Sequence, residues 1–149
     1  NTFTRSGNVN QRALRIEWEH IVPAWEFGHQ LQCWQDGGRK NCRKVSAKFR
    51  TMEADINNLA PAIGEINADR SNYRFGMLAQ NANQYGRCEV KVNFKQRVIV
   101  PPVYARKRIA DAYAYMQKTY GLKISNQQQK LFNAWQQQAY AANTDSKKL

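Results

Sequence analysis

Apolar residues alternate with polar residues in two short stretches of the chain. In residues 88–94, CEVKVNF, the positions of Cys88, Val90, Val92 and Phe94 alternate with polar side chains, which predicts a half-buried strand. A first strand is predicted over about residues 14–22, after a polar arm or loop formed by residues 1–12.

Helix signals cover most of the remaining chain. Pro23 fits the first position of a helix that reaches about Trp34. Ser46 fits the N-cap of a second helix, which carries apolar residues on one face: Phe49, Met52 and Ile56. Three later helices are predicted. One covers residues 62–70 after Pro61, and a long one runs from Pro101 and Pro102 to a C-terminal cap at Gly121. The last begins with a capping box of Ser125 and Gln128 and carries Leu131, Phe132 and Trp135.

Helices therefore outnumber strands, and the strands are predicted to be short and antiparallel, which indicates an α+β fold. A chain of 149 residues without an internal repeat fits one domain, large enough to bury about 70% of its unfolded surface. No apolar run approaches the ~20 residues of a membrane span, so no membrane partner is expected.

The chain is strongly basic. It has 23 Lys and Arg against 11 Asp and Glu, a net charge of +12 and a pI near 9.9. This balance favours polyanionic partners such as nucleic acid or an acidic membrane face, although a basic surface can also serve solubility alone.

The three cysteines suggest an oxidising compartment. Cys33 and Cys42 flank WQDGGRKN, in which Gly37 and Gly38 can form the tight turn that a disulfide loop requires. The spacing differs from that of a zinc knuckle, and no histidine cluster completes a zinc site. Cys88 is then either a buried thiol or half of a bridge to a segment outside this chain, and we favour the bridge.

The stretch RIEWEHIVPAW places Glu19 beside His20 at the predicted end of the first strand. Adjacent side chains of a strand point to opposite faces, so one member of such a pair is usually only solvated. In NNLAPAIGEINADR, Asn67 borders the apolar stripe of a helix. Its amide is either a satisfied boundary group or an oxygen directed at a cation.

Three motifs, EWEHIVPAWEFG, CWQDGGRKNC and NLAPAIGEINADR, resemble those of the bacterial endonuclease I family of periplasmic and secreted nonspecific nucleases. The resemblance runs from about Arg15 to about Trp135 and implies a ββα-metal core. The N-terminal cysteine-bearing segment and the C-terminal region of that family have no counterpart in this sequence. Residues 1–149 are therefore expected to be one nuclease domain that lacks parts of both segments.

The resemblance also implies the roles of four residues. His20 is the expected general base, Glu19 and Asn67 the ligands of one Mg²⁺, and Arg39 the phosphate clamp. One carboxylate and one amide oxygen suit Mg²⁺, which keeps several waters and accepts phosphate oxygens. Neighbouring strand residues can serve one phosphate only if the strand twists or bulges at its end, and Pro23 is compatible with such a break.

The implied activity is hydrolysis of DNA and RNA to products with 5′-phosphate ends, without sequence readout, by a monomer in the periplasm or outside the cell. The rival hypothesis is a noncatalytic basic module that binds nucleic acid. Candidate contacts to the nucleic-acid backbone are Lys40, Arg43 and Arg70, although such charges are often only solvated.

Several polar and aromatic residues have structural interpretations. Asn58 is predicted to brace the two strands of the motif. Glu53 is predicted to be a surface carboxylate, with support of the site as the minority interpretation. His29 is expected at the surface or at its boundary. Trp18, Trp25 and Trp34 could stack on bases, but Trp18 and Trp25 are predicted to be core residues.

Overall fold

The computed structural model describes residues 8–79 and 84–145, with side chains described up to residue 138. The described part contains helices and short strands, connected in part by 3-10 turns at Gln11–Leu14 and Ile56–Asn58. The helices are α1 Ala24–Gly28, α2 Gln32–Gln35, α3 Gly38–Val45, α4 Ala47–Ala54, α5 Gly64–Arg70, α6 Val103–Tyr120 and α7 Asn126–Asp145. The strands are β1 Ile16–His20, β2 Leu59–Ile63, β3 Arg74–Phe75, β4 Lys91–Asn93 and β5 Val98–Val100.

The strands form two small sheets, and the mixture of helix and sheet agrees with the predicted α+β class. In the first sheet β1 pairs antiparallel with β2, in a register from Ile16 opposite Ile63 to His20 opposite Leu59. The second sheet has the order β3-β5-β4. Its β4–β5 pair is antiparallel but its β3–β5 pair is parallel, so the prediction of purely antiparallel strands is wrong. The parallel pair joins segments more than twenty residues apart, which no local pattern indicates.

One cluster of buried apolar side chains extends from helices α1 to α4, which contribute Phe27 and Phe49, to the second sheet and the long C-terminal helices. The ring of Tyr113 on α6 lies 4.1 Å from that of Phe132 on α7, measured between centroids. Phe75 of β3 packs edge-on against both Tyr113 and Trp135 at 6.2 Å. Helix α7, the second sheet and α6 are thereby held together by aromatic packing.

The predicted bounds of α6 and the predicted start of α7 are confirmed. Pro102 precedes the first residue of α6, and Gly121 ends it in the left-handed region with φ 72°. At the start of α7 the Ser125 hydroxyl accepts from the backbone N–H of Gln128 at 3.3 Å. The side chain of Gln128 does not complete a capping box, because its Nε2 donates to the carbonyl of Phe75 at 2.9 Å.

The helix predicted over residues 23–34 is wrong in its length. It ends at Gly28, and α2 follows after a turn. A Cβ added to Gly28 would lie 2.1 Å from Cε3 of Trp34, so the glycine allows the Trp34 ring to pack against the end of α1. The interruption therefore depends on a contact between two residues of the same predicted helix.

The helix predicted from residue 62 also begins later than expected. Pro61 lies inside β2, opposite Trp18, and α5 starts at Gly64. A proline is tolerated there because β2 is an edge strand of a two-stranded sheet, where one row of N–H groups has no ladder partner.

Two other predicted elements are shorter than expected. The first strand covers Ile16–His20 rather than residues 14–22, and in the 88–94 stretch only Lys91–Asn93 is strand. Val92 is buried as predicted, whereas Phe94 is exposed. The Ser46 cap is confirmed, since its hydroxyl accepts from the N–H of Phe49, but Ile56 lies beyond the helix and is exposed.

Asn58 joins the two strands of the first sheet where they end, as predicted. The residue is fully buried, its Oδ1 accepts from the N–H of Val22 at 2.8 Å, and its Nδ2 donates to the Val22 carbonyl at 3.0 Å. The backbone carbonyl of Asn58 accepts from the N–H of Ile21 at 2.8 Å. The side chain thus continues the ladder beyond His20 with hydrogen bonds that no backbone group supplies.

Among the described residues, no helix combines the length and the apolar character that crossing a bilayer requires.

We expect Asn58→Ala to lower the free energy of unfolding by on the order of 3 kcal/mol, because it leaves the buried N–H and C=O of Val22 unsatisfied. Urea denaturation followed by circular dichroism measures the change. Asn57→Ala is the matched control, since Asn57 is exposed. Equal stabilities of the two variants would contradict the bracing role of Asn58.

Candidate active site

A cleft of about 430 Å³ opens where β1 ends, and it brings together the four residues to which the motifs assign chemistry. Its lining consists of β1, the start of α1, α5 and the turn after α5, with Trp34 and Arg39 at one side. Glu19, His20, Arg39 and Asn67 all line this cleft.

The His20 ring is held by a helix end. Its Nε2 lies 2.8 Å from the backbone carbonyl oxygen of Glu53. Glu53 is in the last turn of α4, where carbonyl groups lack an intrahelical partner. A carbonyl only accepts, so Nε2 carries the proton and donates. In the neutral ring Nδ1 then has the lone pair that can take a proton.

Both Glu19 and His20 line the cleft although they are neighbours on a strand. The sequence calls for a twist or a bulge at the end of β1, and a bulge is absent from the β1–β2 pairing, since the register is continuous through His20 opposite Leu59. His20 is the last residue of β1, and the cleft lies at this strand end. Because the cleft opens at the end of the strand and not against one face, it takes in both neighbouring side chains.

Glu19 is held by a buried arginine. Nη1 of Arg70 lies 2.5 Å from Oε1 of Glu19 and 2.7 Å from the carbonyl oxygen of His20. Nη2 of Arg70 donates to the carbonyl of Ile21 at 2.5 Å, and the guanidinium lies over the ring of Phe75. Arg70 thereby uses one oxygen of Glu19 and leaves Oε2 as the oxygen available to a cation.

The same observation corrects the interpretation of Arg70. With 2% of its surface exposed, this arginine cannot reach a nucleic-acid backbone, so the predicted contact is wrong. A buried guanidinium requires paired charge and hydrogen-bond acceptors, and the strand end supplies both. Arg70 is a positioning residue beneath the cleft.

Asn67 is oriented by a second glutamate. Its Nδ2 donates to Oε2 of Glu17 at 3.0 Å. An ionised carboxylate only accepts, so the amide nitrogen must face Glu17 and the amide oxygen Oδ1 is the end available for coordination. Both alternatives that the sequence allowed stay open, because this hydrogen bond satisfies the amide nitrogen and leaves Oδ1 for a cation.

Glu17 is itself surrounded by positive charge. Side-chain hydrogen bonds from Arg12 and then from Arg15, with a smaller one from Asn67, hold the pKa of Glu17 at about 2. The Glu17 carboxylate therefore stays ionised near neutral pH. In this form it accepts the hydrogen bond from Asn67 and keeps the amide in one orientation.

Arg39 and Arg43 share one carboxylate. Nε of Arg39 donates to Oε1 of Glu53 at 2.6 Å, and Nε of Arg43 donates to Oε2 at 2.7 Å. Burial alone would raise the pKa of Glu53, but hydrogen bonds from Arg43 and Arg39 outweigh it and the pKa lies below its ordinary value. The prediction that Glu53 is a surface carboxylate is wrong, since it supports His20 through its carbonyl and Arg39 through its carboxylate.

The disulfide loop lies beside this arginine pair. Cys33 and Cys42 are bonded, as predicted, and their Cα atoms lie 4.9 Å apart. The turn between α2 and α3 uses Gly38 at φ 65°, which favours glycine. Nδ2 of Asn41 adds a hydrogen bond to the Cys33 carbonyl at 2.8 Å. Arg39, in the first turn of α3, is thus anchored by a covalent loop.

The remaining candidates take peripheral places. Lys40 is exposed on α3, as a backbone contact would require. His29 is half-buried and stacks on Trp25. With Cys33 and Cys42 joined, Cys88 has no partner among the three cysteines of this sequence, and its thiol is partly buried. A bridge to another segment stays a prediction.

The donor atoms at the cleft suit a hard cation that keeps much of its hydration. Oε2 of Glu19 and Oδ1 of Asn67 are both oxygens, which Mg²⁺ and similar ions prefer. Within the described residues no cluster of three or more His, Cys, Asp or Glu side chains is arranged to hold a metal. Because the Glu19 carboxylate is already paired with Arg70, this site would bind such a cation weakly unless phosphate oxygens also coordinate the cation.

Sequence reasoning missed the supporting role of Glu17 and understated those of Glu53 and Arg70. The signal for Glu17 was its place two residues before Glu19, which puts both carboxylates on one face of β1. The neighbouring sequence does not indicate the hydrogen-bond partners of these glutamates, because the Glu17–Asn67 and Glu19–Arg70 contacts join residues 50 and 51 positions apart.

Comparisons with known proteins agree on one family. The model of the family Endonuclease I matches residues 1–146. An extracellular deoxyribonuclease of Aeromonas hydrophila is 58% identical over 133 residues, covering 89% of this chain and 57% of the relative. A periplasmic deoxyribonuclease of the same species is 60% identical over 128 residues, covering 85% of this chain and 54% of the relative.

A third relative is more distant. Endonuclease-1 of Buchnera aphidicola subsp. Acyrthosiphon pisum is 52% identical over 124 residues, covering 83% of this chain and 49% of the relative. The chain thus spans about half the length of the curated relatives that it matches.

The ion pairs of Glu17 are expected to contribute to the free energy of unfolding at neutral pH, and this contribution should be lost in acid. Its folded pKa of about 2 lies below the ordinary value of 4.5, so folding favours the ionised form. This contribution is complete above about pH 4.5 and is lost as the pH falls toward about 2. We expect Glu17→Gln to be less stable than the wild type at pH 7, with a difference that shrinks through this window.

Urea midpoints measured from pH 7 down to pH 3 test the expectation. Glu89→Gln, which neutralises an exposed carboxylate, is the control and should follow the wild type at every pH. A Glu17→Gln deficit that is constant across the window would contradict the assigned ion pairs.

Proposed function

This chain belongs to the endonuclease I family, and on that premise we propose that it hydrolyses phosphodiester bonds within DNA and RNA, with little sequence preference. The observation that carries the proposal is the cleft at the end of β1, where a histidine with an oriented ring, a carboxylate, an amide oxygen and an arginine share one cavity. These are the groups that hydrolysis of a phosphate diester needs.

We assign the antiparallel pair β1–β2 and the following helix α5 to a ββα-metal core. In support of this assignment, β1 carries Glu19 and His20, and α5 carries Asn67 on the helix that follows β2 directly. The two sides of the cation site would then come from elements that the buried Arg70 ties together.

Glu19 and Asn67 would hold one divalent cation, for which Mg²⁺ is the expected identity. Such a cation would supply polarisation of the scissile phosphate and stabilisation of the charge on the leaving 3′ oxygen, and the phosphate would remain on the 5′ end. The net charge of Glu19 with Arg70 is zero, so the phosphate itself must supply part of the attraction for the cation.

His20 would act as the general base. Its Nε2–H is held by the Glu53 carbonyl, so that Nδ1 accepts a proton from the attacking water. Because the carbonyl partner fixes both the tautomer and the ring orientation, the base needs no reorganisation before it accepts that proton.

Arg39 would bind the phosphate. Its Nε is engaged by Glu53, and its terminal nitrogens remain for two hydrogen bonds to phosphate oxygens. Lys40 and Arg43 would extend this contact along the backbone. Backbone contacts carry no sequence information, which agrees with an enzyme that does not select its site.

The compartment and the assembly follow as expectations. Relatives are named periplasmic and extracellular, and the Cys33–Cys42 disulfide suits an oxidising compartment, so we place the protein in the periplasm or outside the cell. That residues 1–149 act as one domain and that the protein is a monomer stay predictions.

Nicking of supercoiled plasmid, with Mg²⁺ and with excess EDTA, tests the proposal. We expect cleavage that EDTA abolishes, and His20→Ala should lower the rate by about 10² to 10⁴, the usual effect of losing a general base. Binding of plasmid without cleavage at any divalent cation would instead favour the noncatalytic binding module.

Calorimetric titration with Mg²⁺ in the presence of inorganic phosphate, which supplies phosphate oxygens and is not cleaved, separates the two roles. His20→Ala should keep the affinity of the wild type, whereas Asn67→Ala and Glu19→Gln should lose it, with Asn57→Ala and Glu89→Gln as controls. Glu19→Gln also leaves the buried Arg70 charge unpaired, so its folding must be checked, and Asn67→Ala gives the independent reading. Loss of Mg²⁺ affinity in His20→Ala would make His20 a ligand.

Salt dependence tests the absence of sequence readout. Binding of oligonucleotides in EDTA should weaken between 50 and 200 mM salt by about 10³-fold or more if six phosphates are contacted. Duplexes of equal length and unrelated sequence should behave alike, and Lys40→Ala should reduce the slope of log K against log salt by about 1. A strong preference for one sequence at every salt concentration would overturn the nonspecific reading.

A further inference from the structure

Two tryptophans that sequence reasoning places in the core are exposed at the mouth of the candidate active site. Trp18 is 65% exposed and Trp25 is 46% exposed, whereas Trp135 is 2% exposed in the core. Both exposed residues line the cleft that contains Glu19 and His20. An indole with about half or more of its surface in water is a candidate contact for a ligand with a flat apolar face.

Trp18 lies close to the reacting groups along the strand. It precedes His20 by two residues on β1, so the two side chains leave the same face of the strand, separated by about 7 Å along it. In duplex DNA successive phosphates of one strand are spaced by about 3.4 Å along the helix axis. A base within one or two nucleotides of the scissile phosphate can therefore reach the Trp18 ring.

Trp25 is ordered before any ligand arrives. Its ring stacks on that of His29 with a centroid distance of 4.1 Å and an interplanar angle of 16°. Nδ1 of His29 is in turn held 2.8 Å from the backbone carbonyl oxygen of Trp25. One face of the indole is thus covered, and its exposed fraction leaves the opposite face for a second ring.

Positively charged side chains lie beside the two exposed indoles. Arg39 lines the same cleft, and exposed Lys40 and Arg43 follow on α3. Aromatic rings that accept bases beside cations that follow the phosphates are the combination by which proteins bind single strands without sequence preference.

We propose that Trp18 and Trp25 form a stacking platform for unpaired nucleobases near the scissile phosphate. The inference rests on the proposed function, because it takes the cleft to be the place where a nucleic-acid strand binds. Bases inside a duplex are already stacked on one another, so the platform adds affinity only for single-stranded or locally unpaired substrate. The platform accepts any base, since every base offers a flat face.

Binding in EDTA to a single-stranded oligonucleotide and to a duplex of the same length tests the platform without cleavage. Trp18→Ala and Trp25→Ala should each weaken single-strand binding by between about 5-fold and 150-fold, the range for loss of one base stack. Duplex binding should change less than 2-fold, on the order of measurement error. Trp18→Phe should restore part of the loss, because a smaller ring still stacks.

Salt and abasic substrates separate stacking from other roles. Both variants should keep the wild-type slope of log K against log salt and lose affinity at every salt concentration, unlike Lys40→Ala, which changes the slope. An oligonucleotide of abasic nucleotides should bind the wild type and both tryptophan variants equally. Tyr104→Ala is the matched control, since Tyr104 is 85% exposed but borders a different groove.

Equal losses on abasic and base-bearing strands would overturn the platform, because the tryptophans would then act on the sugar-phosphate backbone or on the shape of the cleft. Unchanged binding in both variants would overturn it as well. Plasmid nicking by the wild type distinguishes failure of the platform from failure of the proposed nuclease function. A nuclease without a stacking platform still nicks the plasmid, whereas a binding protein with the platform does not.

Discussion

The ion pair between Arg70 and Glu19 is the interaction on which the geometry of the cleft depends. Removing a guanidinium from water costs several kcal/mol, and loss of its partner would leave an uncompensated buried charge at a cost of about 3 to 5 kcal/mol. Arg70 meets this requirement by accepting only one arrangement of the strand end, in which Glu19 and the carbonyls of His20 and Ile21 converge on it. Because Arg70 ends α5, the helix of Asn67, it also sets the distance between the two candidate cation ligands.

The other groups at the cleft are oriented by the same principle, in which one polar contact fixes a side chain and leaves a second atom for chemistry. Glu53 fixes His20 through a carbonyl that its helix does not use, and it fixes Arg39 through its carboxylate. Glu17 fixes the Asn67 amide. Each functional residue therefore keeps one atom available. Two arginines share the single carboxylate of Glu53, and two more share that of Glu17, so these supporting groups keep an excess of positive charge that favours a phosphate.

The surface around the cleft divides binding between two kinds of force. In the proposed function, cations such as Arg39 and Lys40 would attract phosphates with an energy that salt screens, whereas the indoles of Trp18 and Trp25 would offer stacking that salt hardly changes. An enzyme that acts outside the cell meets variable ionic strength, and a contact that does not depend on salt would hold single strands where the electrostatic contribution weakens.

The sequence by itself determined the features whose causes are local. Helix α6 begins after Pro102 and ends at Gly121, and Ser46 caps α4. The turn at Gly37 and Gly38 lets Cys33 meet Cys42. The motifs identified four residues that share one cleft: His20, Glu19, Asn67 and Arg39. Tertiary structure alone decided that Arg70 is buried, that Glu17 and Glu53 orient the site, that β3 runs parallel to β5 and that Trp18 faces solvent. The physical reason is that periodicity and capping report on neighbours within a few residues, whereas burial and charge pairing are settled between segments that lie far apart in the sequence, as Glu19 and Arg70 do at 51 positions.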